Sequence, residues 1–127
     1  MTAVAVAVGG ALGAVARYWI GGWVQDAADG FFPAGTLTVN VLGSLLLGFL
    51  VVWLQASLAS PELRSLLTIG VLGSFTTFST FTWETVALLQ DGQWTRAGVY
   101  AGGSLLLGLL AVVVGAFLAD RLLAPGA

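Results

Sequence analysis

The sequence contains no lysine, histidine or cysteine, and only four arginines and six acidic residues in 127. These absences exclude Schiff-base chemistry, imidazole catalysis, His and Cys metal sites, disulfides and thiol catalysis. The arginines are scattered singly, so no basic patch is available for nucleic acid. Charged residues make up 8% of the chain, against about a quarter in a water-soluble domain. With hydrophobic residues at 58%, the composition predicts a membrane protein and argues against a soluble enzyme or binding module.

Charge-free runs predict how often the chain crosses the membrane. The longest are 32, 23 and 19 residues long, and the first apolar segment is interrupted only by Arg17. About 20 helical residues cross a hydrocarbon core of roughly 30 Å. Turn-like residues separate the runs at 25–30, 60–62 and 90–93. We therefore predict an all-α integral membrane protein, a single four-helix domain over 1–127, with transmembrane helices near 2–23, 36–58, 63–90 and 95–120.

The first segment could also be a signal peptide. Its apolar residues follow no positively charged stretch, so the usual start of a signal peptide is missing. We therefore expect a helix of the mature protein there.

The arginines do not specify an orientation. Four spans put Arg64 and Arg121 on one side of the membrane and Arg96 on the other, with Arg17 if its side chain reaches that way. Two against two gives the positive-inside rule no basis for a choice. Either another factor settles the topology, or the chain inserts both ways and pairs as an antiparallel dual-topology homodimer. Four short helices enclose little space, so a pathway through the protein favours the dimer.

Small and polar residues share one face on helices 1, 2 and 4. On helix 2 this face comprises Thr36, Asn40, Gly43, Ser44 and Gly48, and on helix 4 it includes Tyr100, Ser104 and Gly108. Small residues allow helices to approach closely in lipid, and single hydroxyls or amides link neighbouring helices. We therefore assign most of the 18 glycines to packing.

Helix 3 differs, because residues 70–82 place two glycines and six hydroxyl groups at the depth of the bilayer. Glycine and threonine weaken a helix locally. Carbonyl groups freed at that depth are tolerated only inside protein or beside a cavity. We predict a break near the middle of this helix, between Gly73 and Thr76, with carbonyl oxygens of the kind that bind Na⁺.

Beyond that break, hydroxyl and phenyl side chains share one arc of helix 3. The arc comprises Thr77, Phe78, Thr80, Phe81, Glu84 and Thr85. The positive edge of a phenyl ring can face an anion, hydroxyl groups donate hydrogen bonds, and several weak sites favour throughput. Such a face suits a small, strongly hydrated anion. The same rings at this spacing also occur as ordinary packing residues, and the residues alone leave both interpretations open.

Three sequence motifs resemble one known family. Residues 73–81 are similar to the TTFSTF signature of the Fluc (CrcB) fluoride channels. Residues 13–18 resemble the Gly-x-x-x-Arg-Tyr element of that family, and residues 35–43 resemble its helix 2 motif. The motifs occur in the family's order, one on each of the first three helices.

The resemblance implies an antiparallel homodimer in the prokaryotic plasma membrane, with two pathways that export fluoride passively and protect the cell. Phe78 and Phe81 would line each pore with their edges toward fluoride. Arg17 would lie at an aqueous vestibule and attract anions. Backbone carbonyls of Gly73 and Thr76 from both subunits would hold a structural Na⁺ at the dimer centre. Other implied pathway residues are Asn40, Thr77, Thr80, Glu84, Tyr100 and Ser104.

Four of these residues also have simpler interpretations. Arg17 can extend to the interface, and Asn40 can link two helices without touching a ligand. Glu84 lies near the end of its helix, where a solvated carboxylate is as common as a functional one. Tyr100 can be an interfacial anchor.

Two other functions are open to a small membrane protein of this kind. A small multidrug-resistance-type exporter, which exchanges protons for a cationic substrate, would need an acid well inside an early helix. Here the candidate acid is Glu84, late in helix 3, and helices 1 and 2 contain none within their apolar stretches. A purely structural or pore-lesion protein would have no use for the arc of hydroxyl and phenyl groups.

Overall fold

The computed structural model describes residues 1–28 and 30–124, which are helical apart from short connections. Four helical spans are long and apolar enough to cross a membrane: Thr2–Ala27, Ala34–Ala56, Pro61–Gln90 and Trp94–Leu123. The prediction of an all-α protein with four membrane-spanning segments is therefore confirmed. The elements in chain order are α1 (Thr2–Ala27), α2 (Ala34–Ala56), α3 (Pro61–Arg64), a π-helix (Ser65–Leu72), α4 (Gly73–Phe75), α5 (Phe78–Gln90) and α6 (Trp94–Leu123).

The connection between α1 and α2 is held by one glutamine. Gln25 donates a hydrogen bond from Nε2 to the Phe32 carbonyl and accepts one at Oε1 from the Gly35 N–H, both at 3.0 Å. Gln25 lies in the last turn of α1, which extends to Ala27, beyond the predicted end at residue 23. Asp29, which belongs to the predicted turn, lies outside the described residues.

The turn between α2 and α3 is closed by capping interactions. The Ser60 hydroxyl accepts a hydrogen bond from the Leu63 N–H at 3.2 Å and so caps the third span. Arg64 donates from Nη2 to the Leu54 carbonyl at 2.9 Å and from Nε to the Ala59 carbonyl at 3.1 Å. A cation that binds the last carbonyls of a helix also interacts favourably with the helix dipole. Arg64 therefore stabilises the C-terminal end of α2.

Close backbone contacts hold the spans together in two pairs. The π-helix lies against α1, where a side chain at Gly13 would overlap the Val71 carbonyl. Similarly, α6 lies against α2, where side chains at Gly48 and Gly115 would overlap the backbones of Val112 and Leu45. Such close approach increases van der Waals contact, which drives helix association in lipid.

The outer surface is apolar and the core is small. Among the described residues only ten hydrophobic side chains are buried, and many leucines and valines of α6 are exposed. This distribution suits a protein surrounded by hydrocarbon rather than water. Five strongly exposed tyrosine and tryptophan side chains lie toward the end that carries the α1–α2 and α5–α6 turns: Tyr18, Trp19, Trp23, Trp83 and Trp94.

Candidate functional site

Thr76 and Thr77 in the third span both have extended dihedral angles, and we call these two residues the interruption. Asn40 on α2 pairs with the backbone at this point. Its Nδ2 donates to the Thr77 carbonyl at 3.0 Å, and its Oδ1 accepts from the Thr77 N–H at 2.8 Å. The Thr77 hydroxyl in turn accepts from the Thr80 N–H at 3.2 Å. The interruption is thus stabilised by one amide from another helix and by one local cap.

These hydrogen bonds deprive two carbonyl groups of their helical donors. In a continuous α-helix the N–H of Thr77 would donate to Gly73, and that of Thr80 to Thr76. Both N–H groups donate to side chains instead. The neighbouring Ser74 carbonyl accepts a hydrogen bond from Arg17 Nε at 3.0 Å. The carbonyl oxygens of Gly73 and Thr76 are therefore among those that lack their helical donors.

Gly43 on α2 fixes the position of the interruption from the opposite side. A side chain at this buried glycine would overlap the methyl group of Thr76. Asn40 lies almost one helical turn before Gly43, so both residues are on the same face of α2. From this face Asn40 hydrogen-bonds to Thr77 and Gly43 lies against Thr76. The interruption is therefore held in place by α2.

An aromatic cluster lies beside the interruption. The Phe78 and Phe81 rings have centroids 5.7 Å apart and are tilted by 45°. Phe81 is only 9% exposed and contacts the ring of Tyr100, with centroids 5.3 Å apart. Phe78 is 71% exposed on the surface of the chain. One ring is therefore fixed by intramolecular packing, whereas the other is presented outward.

Glu84 is held by two hydroxyl groups from two other helices. The Thr36 hydroxyl donates to Oε1 at 2.9 Å, and the Tyr100 hydroxyl donates to Oε2 at 2.6 Å. Tyr100 itself is fully buried, and Phe32 packs edge-on against it with ring centroids 5.6 Å apart. Both oxygens of the half-buried Glu84 therefore have partners within the protein, and Tyr100 is enclosed by neighbouring side chains.

Two open grooves meet at this site. The first has a volume of about 400 Å³ and lies beside Phe78 and Phe81; the second has a volume of about 500 Å³ and lies beside Arg17 and Glu84. We call them the phenyl groove and the carboxylate groove. Thr77 lines both grooves.

The predicted residues divide between the two grooves. The phenyl groove contains Asn40, Gly73, Thr76, Thr77, Phe78, Phe81 and Ser104. The carboxylate groove contains Arg17, Thr77, Thr80 and Glu84. Tyr100 lines neither, but its hydroxyl reaches the carboxylate groove through Glu84.

Thr36 is the residue that sequence reasoning missed. It lines the carboxylate groove and donates to Glu84. The sequence did contain one indication of a role for Thr36, namely its position on the polar face of helix 2, one turn before Asn40. Nothing in the sequence indicated that Glu84 would be its partner.

Comparisons with known proteins point to one family. Residues 4–116 match the family model described as CrcB-like protein, Camphor Resistance (CrcB). The chain is 51% identical over 116 residues to the fluoride-specific ion channel FluC of Nitratidesulfovibrio vulgaris, which covers 88% of this chain and 91% of that protein. It is 50% identical over 110 residues to the protein of the same name from Thermus thermophilus, with 87% of each chain covered.

Proposed function

This chain belongs to the CrcB family, and on that premise we propose that it is a fluoride-selective channel that exports fluoride passively and protects the cell from it. It is a multi-pass protein of the prokaryotic plasma membrane and not an enzyme. The observation that carries the proposal is the 51% identity to a fluoride-specific channel over nearly the whole length of both chains. The arrangement of rings and hydroxyl groups at the interruption supports it.

The two grooves suggest how the ion would pass. An anion enters the carboxylate groove, where the guanidinium of Arg17 attracts it. The hydroxyl of Thr80, which accepts a hydrogen bond from the hydroxyl of Thr77 at 3.0 Å, then donates to the ion and replaces part of its water shell. Beyond Thr77 the edges of Phe81 and Phe78 offer weak positive charge. Weak successive sites allow release as well as binding, which conduction requires.

Ser104 extends this path along the phenyl groove. Its Oγ is buried and has no hydrogen-bond partner among the described residues. A buried hydroxyl without a partner costs about 1–3 kcal/mol, so such groups usually face water or a ligand. The hydroxyl of Ser104 is therefore available to a dehydrated anion after the rings.

Glu84 and Asn40 have different roles in this proposal. Both carboxylate oxygens of Glu84 accept hydrogen bonds, so Glu84 orients the hydroxyls of Thr36 and Tyr100. Asn40 uses one amide hydrogen and its oxygen on Thr77, which leaves one hydrogen for an ion. Both therefore organise the path, and Asn40 can also contact the ion.

We further propose that the functional unit is an antiparallel dual-topology homodimer. Both grooves are open in a single chain, and Phe78 is exposed next to the buried Phe81. A second copy packed on this surface would enclose the phenyl groove and cover Phe78. Enclosure matters because an ion without water needs protein groups on all sides.

The interruption of the third span also fits a structural Na⁺ at the centre of this dimer. The released carbonyls of Gly73 and Thr76 are neutral, hard oxygen donors, which suit a monovalent alkali cation. Among the described residues, no three His, Cys, Asp or Glu side chains are grouped so that they could hold a metal ion together. We therefore consider backbone oxygens as the ligands. When bound, Na⁺ would neutralise the carbonyl dipoles and stabilise the contact between two copies.

Fluoride efflux from liposomes tests the function. We expect purified protein to release trapped fluoride, measured with a fluoride electrode, and to release no chloride under matched conditions. Protein-free liposomes are the control. No fluoride release, or equal chloride release, would contradict the proposal, and release that needs a proton gradient would favour the exporter instead.

A further inference from the structure

One hydroxyl group of the phenyl groove has no role in the path described above. Ser44 lies on α2, one helical turn beyond Asn40, and lines the same groove as Phe78, Phe81 and Ser104. Residues four apart on a helix share a face, so the amide of Asn40 and the hydroxyl of Ser44 follow one another along the wall formed by α2.

The groove wall opposite Ser44 is a glycine. A side-chain carbon built on Gly108 of α6 would lie 3.6 Å from Ser44 Oγ, an ordinary van der Waals distance. Gly108 also lines the phenyl groove. At this level the groove therefore has a hydroxyl on α2 and an open space on α6.

Ser104 stands one turn before Gly108 on α6. Its buried, unpartnered hydroxyl marks a point where the groove offers a donor to something other than the described protein groups. Ser44 follows at the next level of the same groove. The two hydroxyls thus form successive steps on opposite walls.

The close contact of α2 with α6 limits the groove beyond Ser44. Gly48 lies against the Val112 backbone, and Gly115 lies against that of Leu45. An ion moving between these two helices would have to leave before this contact. Ser44 is therefore near the last polar position that α2 can offer it.

We propose that Ser44 is a further pathway residue, whose hydroxyl donates a hydrogen bond to fluoride after the phenyl rings. The proposal rests on the fluoride function proposed above. The ligand class is a small, strongly hydrated monovalent anion, because a hydroxyl beside an open glycine can replace one water of its shell. The hydrogen bond from Ser44 would therefore affect how fast fluoride passes through the part of the path beyond the phenyl rings.

The test moves the hydroxyl from one wall of the groove to the other. We expect Ser44→Ala to reduce fluoride efflux from liposomes by about five- to tenfold, the scale of one hydrogen bond. The double variant Ser44→Ala with Gly108→Ser should recover to within about twofold of the parent chain, because it returns one hydroxyl to the same level. Thr38→Ala is the matched control, since Thr38 is on α2 but lines neither groove.

Each result bears on the proposal once dimer formation has been checked by size-exclusion chromatography. Unchanged efflux in Ser44→Ala, or slow efflux in the double variant, would overturn it, because Ser44 would then serve packing alone. If Ser44→Ala does not assemble, Ser44→Cys replaces it, since a thiol is a poor donor of similar size and should also conduct slowly. A parent chain that releases no fluoride would instead refute the proposed function, before any variant is made.

Discussion

Asn40 carries a structural task that its predicted role as an ion ligand did not include. Its amide group binds both the N–H and the carbonyl of Thr77, as a neighbouring peptide group would do. The sequence predicted two alternatives for this residue, an ion ligand or a link between helices. The geometry makes it a link and leaves one amide hydrogen for a ligand. Sequence alone could not decide this, because the partner lies 37 residues away.

We predict that Asn40→Ala lowers both stability and fluoride efflux. Two partly buried peptide groups lose their partners, so the free energy of unfolding should fall by about 2–4 kcal/mol. Asn40→Asp should fall between the parent and the alanine variant, since a carboxylate accepts from the Thr77 N–H but cannot donate to its carbonyl. Unfolding in detergent and efflux from liposomes measure the two effects. Gln55→Ala, an exposed amide on the same helix, should leave both unchanged.

The third span shows what sequence patterns can and cannot locate at the scale of an element. Glycine and threonine content pointed to residues 73–76, and the extended residues are Thr76 and Thr77. Their position depends on Asn40 and Gly43 of α2, which no local pattern in the third span contains. The π-helix over Ser65–Leu72 was not predicted at all. It lies against glycines of α1, and such packing is set by tertiary contact rather than by propensity.

We predict that Gly43→Ala disturbs the interruption. The added methyl group would overlap that of Thr76, and overpacking of this kind costs about 1–3 kcal/mol. Fluoride efflux should fall severalfold, and the thermal stability of the protein should fall with it.

Gly98→Ala is the matched control for this substitution. No atom lies within 4 Å of a side-chain carbon placed there, and Gly98 is also within a helix. Alanine should therefore be neutral or slightly stabilising at this position. Equal behaviour of the two variants would show that the contact between Gly43 and Thr76 does not position the third span.

At the scale of the whole molecule, the four spans were predictable because membrane thickness fixes the length of an apolar helix. Individual contacts were not, as the pairing of Thr36 with Glu84 illustrates. Three arginines have contacts near the ends of the spans. Arg96 lies over the Phe31 ring and Arg121 over the Phe117 ring. Arg64 binds the Leu54 carbonyl in the last turn of α2. Arg17 binds the interior carbonyl of Ser74. Arg64 and Arg121 therefore lie at one end and Arg96 at the other, and Arg17 is held between the two ends, so the ends differ by one arginine.

We predict that the chain inserts in both orientations. Since it has no cysteine, single cysteines at the exposed positions Ser57 and Gln90 report opposite ends of the bundle. Because the two ends differ by only one arginine, a membrane-impermeant thiol reagent should label a substantial share of the molecules at either position in intact cells. Adding Ser57→Arg to the Gln90 reporter should make labelling at Gln90 nearly complete, because the added charge retains its end in the cytoplasm. Labelling at only one of the two positions, when the single-cysteine variants are compared, would contradict dual topology.

The exposed tyrosine and tryptophans at one end of the bundle have a consequence for how two copies meet in a lipid bilayer. Amphipathic rings prefer the level of the lipid headgroups. A parallel pair would crowd both sets of rings into one leaflet and leave the other almost unanchored. The proposed antiparallel pair gives each leaflet one complete set, so bilayer deformation would be shared equally between leaflets. The lipid itself would then distinguish the two ways of pairing, before any contact between the chains is made.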